Sequence, residues 1–210
     1  FYLYMFPNQN KLKDISLSNT ENFSPIGRLV YIEADKNKNK KVKSEVLDLI
    51  IDTVFKPYDT NTVTQEGIVR YFDKSKVQID IKEGDYIYTH HFLCDEDNEA
   101  RVNGKTLYCQ EEFNIYCHVR EGKITMLSDW NLFEPIEEPE ENYKTASGIY
   151  LKPKAEIRHK YGIAKHLSQW SKDCGVKVGD TIILDDAAEY EIVVEGKTYF
   201  RVQDRYVYAK

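Results

Sequence analysis

Short runs of alternating apolar and polar residues are spread along the whole chain. Such runs, bounded by turn residues, are typical of half-buried β-strands. The clearest of them lie at 28–32, 77–81, 85–93, 181–184, 191–194 and 199–202. No stretch of helical periodicity is long enough to predict a helix. The pattern therefore predicts an all-β fold.

Several of these runs recur in the same order in both halves of the chain. The matched pairs are EGIVRYF (66–72) with YGIAKHL (161–167), IKEGDYIY (81–88) with VKVGDTII (176–183), VNGKTLY (102–108) with VEGKTYF (194–200), and FNIYCHV (113–119) with RYVYAK (205–210). In each copy 17 residues separate the first glycine from the second, Gly67 from Gly84 and Gly162 from Gly179. Repetition at constant spacing predicts two homologous β-domains.

The repeat divides the chain into three parts. We expect residues 23–120 to form the first domain, residues 121–210 the second, and residues 1–22 an N-terminal extension. The extension begins with FYLYMF, which lacks the basic flank and small-residue cleavage site of a signal peptide. We expect it to form a strand or a docking arm.

Composition and charge narrow the classes of partner. The net charge of −6 argues against a nucleic-acid backbone as the main partner. No apolar run approaches the length of a membrane span, so no membrane partner is expected. The four cysteines are irregularly spaced and form no CxxC motif, which favours reduced thiols in a cytoplasmic protein.

The second copy resembles a GroES-type (chaperonin-10) co-chaperonin subunit over essentially all of residues 123–210. The features that carry the resemblance are ITMLSDWNLFE (124–134) for the first strand, SGIYL (147–151) for the end of the mobile loop, VKVGDTIIL (176–184) for the Gly-Asp turn into a buried strand, and EIVVEGKTYFRVQDRYVYAK (191–210) for the last hairpin and strand. The first copy follows this pattern less closely over 23–119, with a longer loop at 34–65. The resemblance implies two tandem GroES-like small β-barrel domains.

What the resemblance implies about function is a co-chaperonin that is not an enzyme. Such a protein forms a homo-oligomeric ring that caps a GroEL-type chaperonin in the cytoplasm. The partner chaperonin uses the ATP, and the chain itself needs no cofactor. Both copies are short where bacterial members insert a roof hairpin, a feature shared with bacteriophage-encoded members, and a phage gene would place the protein in the host cytoplasm.

Residues 134–153 are the predicted chaperonin-binding loop. Their first part, EPIEEPEENYK, is rich in proline and glutamate and has little apolar surface to bury. It leads into Gly148, Ile149, Tyr150 and Leu151, which the resemblance assigns to the docking tip. The alternative is that this apolar triplet begins an ordinary buried strand.

The loop of the first copy differs in kind. It carries a lysine-rich stretch followed by LDLIIDTVF at 47–55, without a glycine before an apolar triplet. Three roles are open for the apolar run: a second docking element, a strand of the core, or an interface segment. Its candidate residues are Leu49, Ile50, Ile51, Val54 and Phe55.

Other motifs do not predict catalysis or a metal site. Gly104-Lys105-Thr106 and Gly196-Lys197-Thr198 resemble the end of a phosphate-binding loop, but the required earlier glycine is missing and hairpin turns explain both. The first copy also contains His90, His91, Cys94, Cys109, Cys117 and His118. They lack compact ligand spacing, and adjacent histidines on a strand would point to opposite faces. We expect no metal ligands and no catalytic residues.

A second function remains open from the residues alone. The same fold could serve as a structural module in a virion or another ring assembly, with no chaperonin partner, because a fold does not dictate its function. The altered first loop and the N-terminal extension both suit an assembly role.

Overall fold

The computed structural model describes residues 23–35, 42–43, 50–51, 65–136, 161–185 and 190–210. Within these residues the chain is almost entirely β, which confirms the predicted fold class. It divides into two compact units, Phe1–Leu127 and Ser128–Lys210. No helix in the described part of the chain is long and apolar enough to cross a membrane.

Unit 1 (Phe1–Leu127) is built on one antiparallel sheet. Its strands are β1 (Leu29–Ala34), β2 (Val42–Lys43), β3 (Ile50–Ile51), β4 (Glu66–Phe72), β5 (Tyr86–Thr89), β6 (Glu99–Val102), β7 (Lys105–Glu111), β8 (Ile115–Arg120) and β9 (Lys123–Met126). The main sheet has the order β6-β7-β1-β4-β5-β8-β9, and β2 and β3 form a separate pair. Short 3₁₀ turns lie at Glu96–Asn98 and Glu112–Asn114.

Unit 2 (Ser128–Lys210) repeats most of this arrangement. Its elements are β10 (Trp130–Pro135), β11 (Tyr161–His166), α1 (Gln169–Asp173), β12 (Thr181–Leu184), β13 (Tyr190–Val194), β14 (Lys197–Gln203), a 3₁₀ turn (Asp204–Tyr206) and β15 (Val207–Ala209). The sheet order is β13-β14-β10-β11-β12-β15. In the residues that the structure describes, this order matches the main sheet of unit 1 strand for strand, and unit 1 adds one strand, β9, beyond β8.

The two units also share irregular features of the backbone. The register of β1 against β4 shifts between Tyr31 and Ile32, and that of β10 against β11 shifts between Leu132 and Phe133. A bulge bends a strand and increases its local twist. In each unit the shift begins three residues before the residue that pairs with the glycine, Ala34 with Gly67 and Pro135 with Gly162. The two sheets therefore curve at the same place.

The Gly-Asp turns predicted from the repeat form in both units with the same hydrogen bonds. Gly84 N–H donates to the Val69 carbonyl over 2.8 Å, and Gly179 N–H donates to the Ala164 carbonyl over 2.8 Å. Both glycines have a left-handed φ, +91° and +95°, which glycine adopts without steric cost. The Asp85 carboxylate then accepts the backbone N–H of Lys82 over 2.6 Å.

Each unit has its own apolar core. In unit 1 it comprises Val30, Ile32, Ala34, Val69, Phe72, Ile81, Ile87, Leu93, Tyr108, Ile115 and Leu127. In unit 2 it comprises Phe133, Ala164, Leu167, Ile182, Leu184, Phe200 and Val202. Half of these residues are apolar positions of the clearest alternating runs.

One of the predicted strands, 77–81, is wrong, and another, 85–93, is correct only in its first part. Residues 77–81 form no strand, and two of their backbone groups bond outside any strand ladder: Val77 N–H donates to the Asp73 carbonyl over 3.0 Å and Gln78 N–H to the Glu112 carboxylate over 2.6 Å. The run 85–93 ends as a strand at Thr89 and continues as a turn, in which Leu93 N–H donates to the His90 carbonyl over 3.0 Å.

Candidate functional site

The predicted docking segment joins two neighbouring strands of unit 2. β10 pairs antiparallel with β11, and the last aligned residues are Pro135 and Gly162. The connecting residues 137–160 lie outside the described residues. That connection contains all four predicted docking residues: Gly148, Ile149, Tyr150 and Leu151. Their docking role therefore stays a prediction, while the base of the segment is described.

Gly162 brings the two strands close together at this base. A Cβ atom at Gly162 would lie 2.7 Å from the Cβ of Phe133, and Phe133 is fully buried. The corresponding Gly67 of unit 1 is more tightly enclosed, because a Cβ there would lie 2.5 Å from the carbonyl oxygen of Glu33. Glycine at this position therefore allows the two strands that flank each long segment to lie close together.

An ion pair spans the base of the long segment in both units. Lys165 Nζ lies 2.5 Å from Glu134 Oε2 in unit 2, and Arg70 Nε lies 2.5 Å from Glu33 Oε2 in unit 1. Burial alone would raise the pKa of Glu33, but the hydrogen bond and charge of Arg70 outweigh it and hold that pKa below its usual range. Partly exposed pairs of this kind contribute little stability.

The long segment of unit 1 is described only in part. Ile50 and Ile51 form β3, which pairs with Val42–Lys43 in the separate two-stranded sheet. The other candidate residues of this run, Leu49, Val54 and Phe55, lie outside the described residues. This short ladder leaves the three alternatives for the run open.

A buried polar network, not foreseen from the sequence, fixes the start of α1 in unit 2. Asp204 Oδ1 accepts hydrogen bonds from Asn131 Nδ2, Ser168 Oγ and Ser171 Oγ, each at 2.7 Å. Ser168 is the N-cap of α1 and also accepts from Ser171 N–H. All four side chains are buried, and buried polar groups need such partners. The network therefore holds α1 against β10.

Unit 1 has a related contact at the same place. Glu112 begins the corresponding 3₁₀ turn, is buried, and lies 3.2 Å from Arg28 Nε. Its N–H donates to the Arg28 carbonyl over 3.2 Å, as Asp204 N–H donates to the Asp129 carbonyl over 2.9 Å. An acidic residue directly after the last hairpin of each copy is the sequence signal that would have identified this site.

The structure describes the turns at both Gly-Lys-Thr sequences. Asn103-Gly104 and Glu195-Gly196 have left-handed φ values of 53°, 73°, 48° and 76°, as in type I′ hairpin turns. They connect β6 to β7 and β13 to β14, which confirms hairpins at both Gly-Lys-Thr sequences.

The histidine pair of unit 1 corrects one expectation. His90 and His91 follow the end of β5 instead of lying on it, and their ring centroids are 3.9 Å apart. They therefore do not point to opposite faces. In the described residues, no group of three or more His, Cys, Asp or Glu side chains is arranged to hold a metal ion.

The comparison with known families concerns the second half of the chain. Residues 123–210 match the family model of the chaperonin 10 Kd subunit. This confirms the resemblance over those residues and supports a co-chaperonin-like role at the level of the family, whose members are not enzymes. The chaperonin 10 match begins in β9 and includes all of unit 2. No curated protein matches the chain.

Proposed function

We propose that this protein is a co-chaperonin that caps an ATP-driven, GroEL-type chaperonin ring and assists protein folding. The match of residues 123–210 to the chaperonin 10 family carries this proposal. The β-fold of unit 2, with its Gly-Asp turn and terminal hairpin, is consistent with it. In this proposal the protein acts in the cytoplasm as a homo-oligomeric ring, and the partner chaperonin alone uses ATP.

The proposal includes a tandem arrangement in which unit 1 is a second, divergent GroES-like domain. Its support is the agreement of the two units in features of the backbone. These are the strand order, the bulge position, the Gly-Asp turn bonds and the type I′ hairpin. Unit 1 therefore has the same backbone arrangement as unit 2 although its sequence follows the family pattern less closely.

Docking is assigned to Gly148, Ile149, Tyr150 and Leu151 at the end of residues 134–153. Burying the three apolar side chains in a groove would contribute about 1.5–3 kcal/mol each. Ordering a segment on binding costs on the order of several kcal/mol, so a single segment binds weakly. Several segments on one ring bind together through their high effective concentration, and each still releases when the chaperonin changes state.

The apolar run of unit 1 has a separate place in the proposal. Its residues Leu49, Ile50, Ile51, Val54 and Phe55 are available as a second docking element or as an interface between chains. The β2–β3 ladder pairs Ile50 with Lys43 and Ile51 with Val42.

The test is co-sedimentation with a GroEL-type chaperonin, with and without ATP. We expect nucleotide-dependent binding that is lost in the double variant Ile149→Ser/Leu151→Ser. The matched control is Ile136→Ser, which removes an apolar side chain from the same segment outside the tip. Equal binding by the tip variant and the control would refute the assigned docking residues.

The same experiment separates the co-chaperonin from a structural assembly protein. A structural module would form its oligomer and fail to bind chaperonin at any nucleotide state. That outcome would overturn the proposed function and favour the assembly role.

A further inference from the structure

Two hairpins with the same turn geometry carry different residues at the first turn position. Asn103-Gly104 joins β6 to β7, and Glu195-Gly196 joins β13 to β14. All four residues have a left-handed φ, and all four are exposed. The two turns therefore differ mainly in the chemistry of the first side chain, which is an amide in unit 1 and a carboxylate in unit 2.

An asparagine that precedes glycine has an intrinsic reaction of its own. The backbone nitrogen of the glycine attacks the side-chain Cγ of the asparagine, which expels ammonia and closes a five-membered succinimide. Water then opens the ring to aspartate or to isoaspartate, in which the main chain runs through the former side chain. Glycine favours the attack because it has no Cβ to crowd the nitrogen. Asn103-Gly104 is the one Asn-Gly pair in the sequence.

The turn at Asn103 is accessible and lies at the margin of the sheet. A Cβ atom built on Gly104 would have no heavy atom within 4 Å, so no neighbouring element packs on this glycine. In the described part of the chain β6 ends the sheet, with β7 as its hydrogen-bonded neighbour. Strands at such margins open locally at a lower free energy than the strands of the core.

The intact turn holds the reacting atoms of Asn103 and Gly104 apart. In a type I′ turn the ψ of the first central residue is about 30°, which directs the following backbone nitrogen away from the side chain of that residue. Closure of the succinimide needs this nitrogen rotated towards Cγ. The reaction therefore proceeds when the turn opens, and its rate depends on how often the end of β6 separates from β7.

Isoaspartate at position 103 would not fit this hairpin. It adds one carbon atom to the main chain inside a two-residue loop, and the length and type of such a loop fix the register of the strands. The pair next to the turn is Val102 with Lys105. Ala100 and Val102 of β6 are buried in one cluster with Leu107 of β7. A lengthened loop therefore removes the geometry that keeps β6 paired and this cluster covered.

We propose that Asn103 is a site of spontaneous deamidation, and that its conversion to isoaspartate releases β6 from the sheet of unit 1. The overall step consumes one water molecule and releases one ammonia molecule, and it needs no enzyme or cofactor. Glu195 has no amide to lose, so the matching hairpin of unit 2 persists. Chemical ageing at these turns is thereby confined to unit 1. The proposal is independent of chaperonin docking, because it is measured on the isolated chain.

The first test incubates the full chain at mildly alkaline pH and locates isoaspartate by peptide mass spectrometry and by enzymatic methylation of isoaspartyl residues. We expect the wild type to accumulate isoaspartate at Asn103. Asn103→Glu introduces the residue of the matching turn and should lose the signal, whereas Glu195→Asn should gain a second signal in unit 2. A wild-type chain without isoaspartate at Asn103, under conditions that convert a free peptide of residues 99–108, would overturn the proposal.

The second test examines whether the reaction requires opening of the turn. The free peptide of residues 99–108 lacks the rest of the sheet and should deamidate faster than the intact chain. Urea below the unfolding transition should accelerate the reaction in the chain and leave the rate in the peptide unchanged. Equal rates in the chain and the peptide without urea would show that the folded turn does not restrain the reaction, which contradicts the opening step.

The third test measures the release of β6 by hydrogen exchange of aged chains. Peptides that contain β6 should exchange faster after ageing in the wild type and remain protected in Asn103→Glu aged in the same way, with β13 as the internal control. Freshly prepared Asn103→Asp adds the negative charge without the extra main-chain carbon, and Asp-Gly suits a type I′ turn, so β6 should stay protected. Unchanged exchange in the aged wild type, or equal loss of protection in Asn103→Asp, would overturn the proposal.

Discussion

Replacing Gly67 and Gly162 by alanine tests how closely the two strands at the base of each long segment pack. Gly67 and Gly162 occupy the same place in units 1 and 2, and neither has a left-handed φ. An alanine backbone is therefore tolerated at both, and only the added Cβ atom matters. At Gly67 that atom would lie 2.5 Å from the Glu33 carbonyl oxygen and 3.0 Å from the Ala34 Cα. At Gly162 it would meet the Phe133 Cβ at 2.7 Å, with the next atoms at 3.5 Å.

These distances predict that the two substitutions lower the stability of the folded protein by different amounts. Overpacking by one methyl group typically costs about 1–3 kcal/mol, against which reduced freedom of the unfolded chain returns about 0.4–1 kcal/mol. At Gly162 one contact must lengthen, so we expect a loss of about 1–2 kcal/mol. At Gly67 two crowded atoms belong to the backbone of β1 and cannot rotate away, so we expect about 3 kcal/mol or more. That is a large part of the 5–15 kcal/mol that stabilises a typical domain.

The assay uses the position of the two tryptophans. Trp130 and Trp170 both lie in unit 2, so tryptophan fluorescence reports urea unfolding of that unit, whereas far-ultraviolet circular dichroism reports both. Gly162→Ala should shift the fluorescence midpoint, and Gly67→Ala should shift mainly the dichroism. Gly104→Ala serves as a control with a left-handed φ and open space, where strain of about 1–2 kcal/mol is expected. A Gly67→Ala variant no less stable than this control would refute the crowding argument.

Two further predictions concern buried polar groups. Asp204→Ala leaves three buried donors without their acceptor and should destabilise unit 2 by about 3–5 kcal/mol in urea unfolding followed by tryptophan fluorescence; a loss no larger than that of Asp204→Asn would contradict this account. Burial, followed by the charge of Arg120, lowers the pKa of His118, so the folded unit 1 binds fewer protons than the unfolded chain below about pH 6.5. Unit 1 should therefore lose stability as the pH falls from about 7.5 to about 5.5. Hydrogen exchange of unit 1 peptides should show this slope in the wild type and a reduced slope in His118→Asn.

Much of the fold was predictable because the repeat and the turn chemistry are local. The Gly-Asp turns and type I′ hairpins follow from glycine at positions that need a left-handed backbone. The prediction at 77–81 was wrong because the alternation there reflects packing on the core. Val77 and Ile79 pack against the cluster that contains Ile81, but no strand among the described residues pairs with them. Periodicity alone does not reveal whether a neighbouring strand is present.

Less of the candidate sites could be predicted from the sequence. The five-residue helix α1 is too short to show periodicity, and its only local signal is Ser168 at the N-cap. The network around Asp204 joins residues far apart in the chain, which no local pattern predicts.

The position of β9 has a consequence for how the protein can be made and divided. Unit 1 ends at Leu127 and not at the repeat boundary near residue 120, because β9 and Leu127 close its sheet and core. A fragment ending at Arg120 would expose β8 and omit a core residue, whereas one ending after Leu127 would contain both. During synthesis, the first half of the chain therefore cannot reach its final packing until the ribosome has begun the segment that introduces the second half.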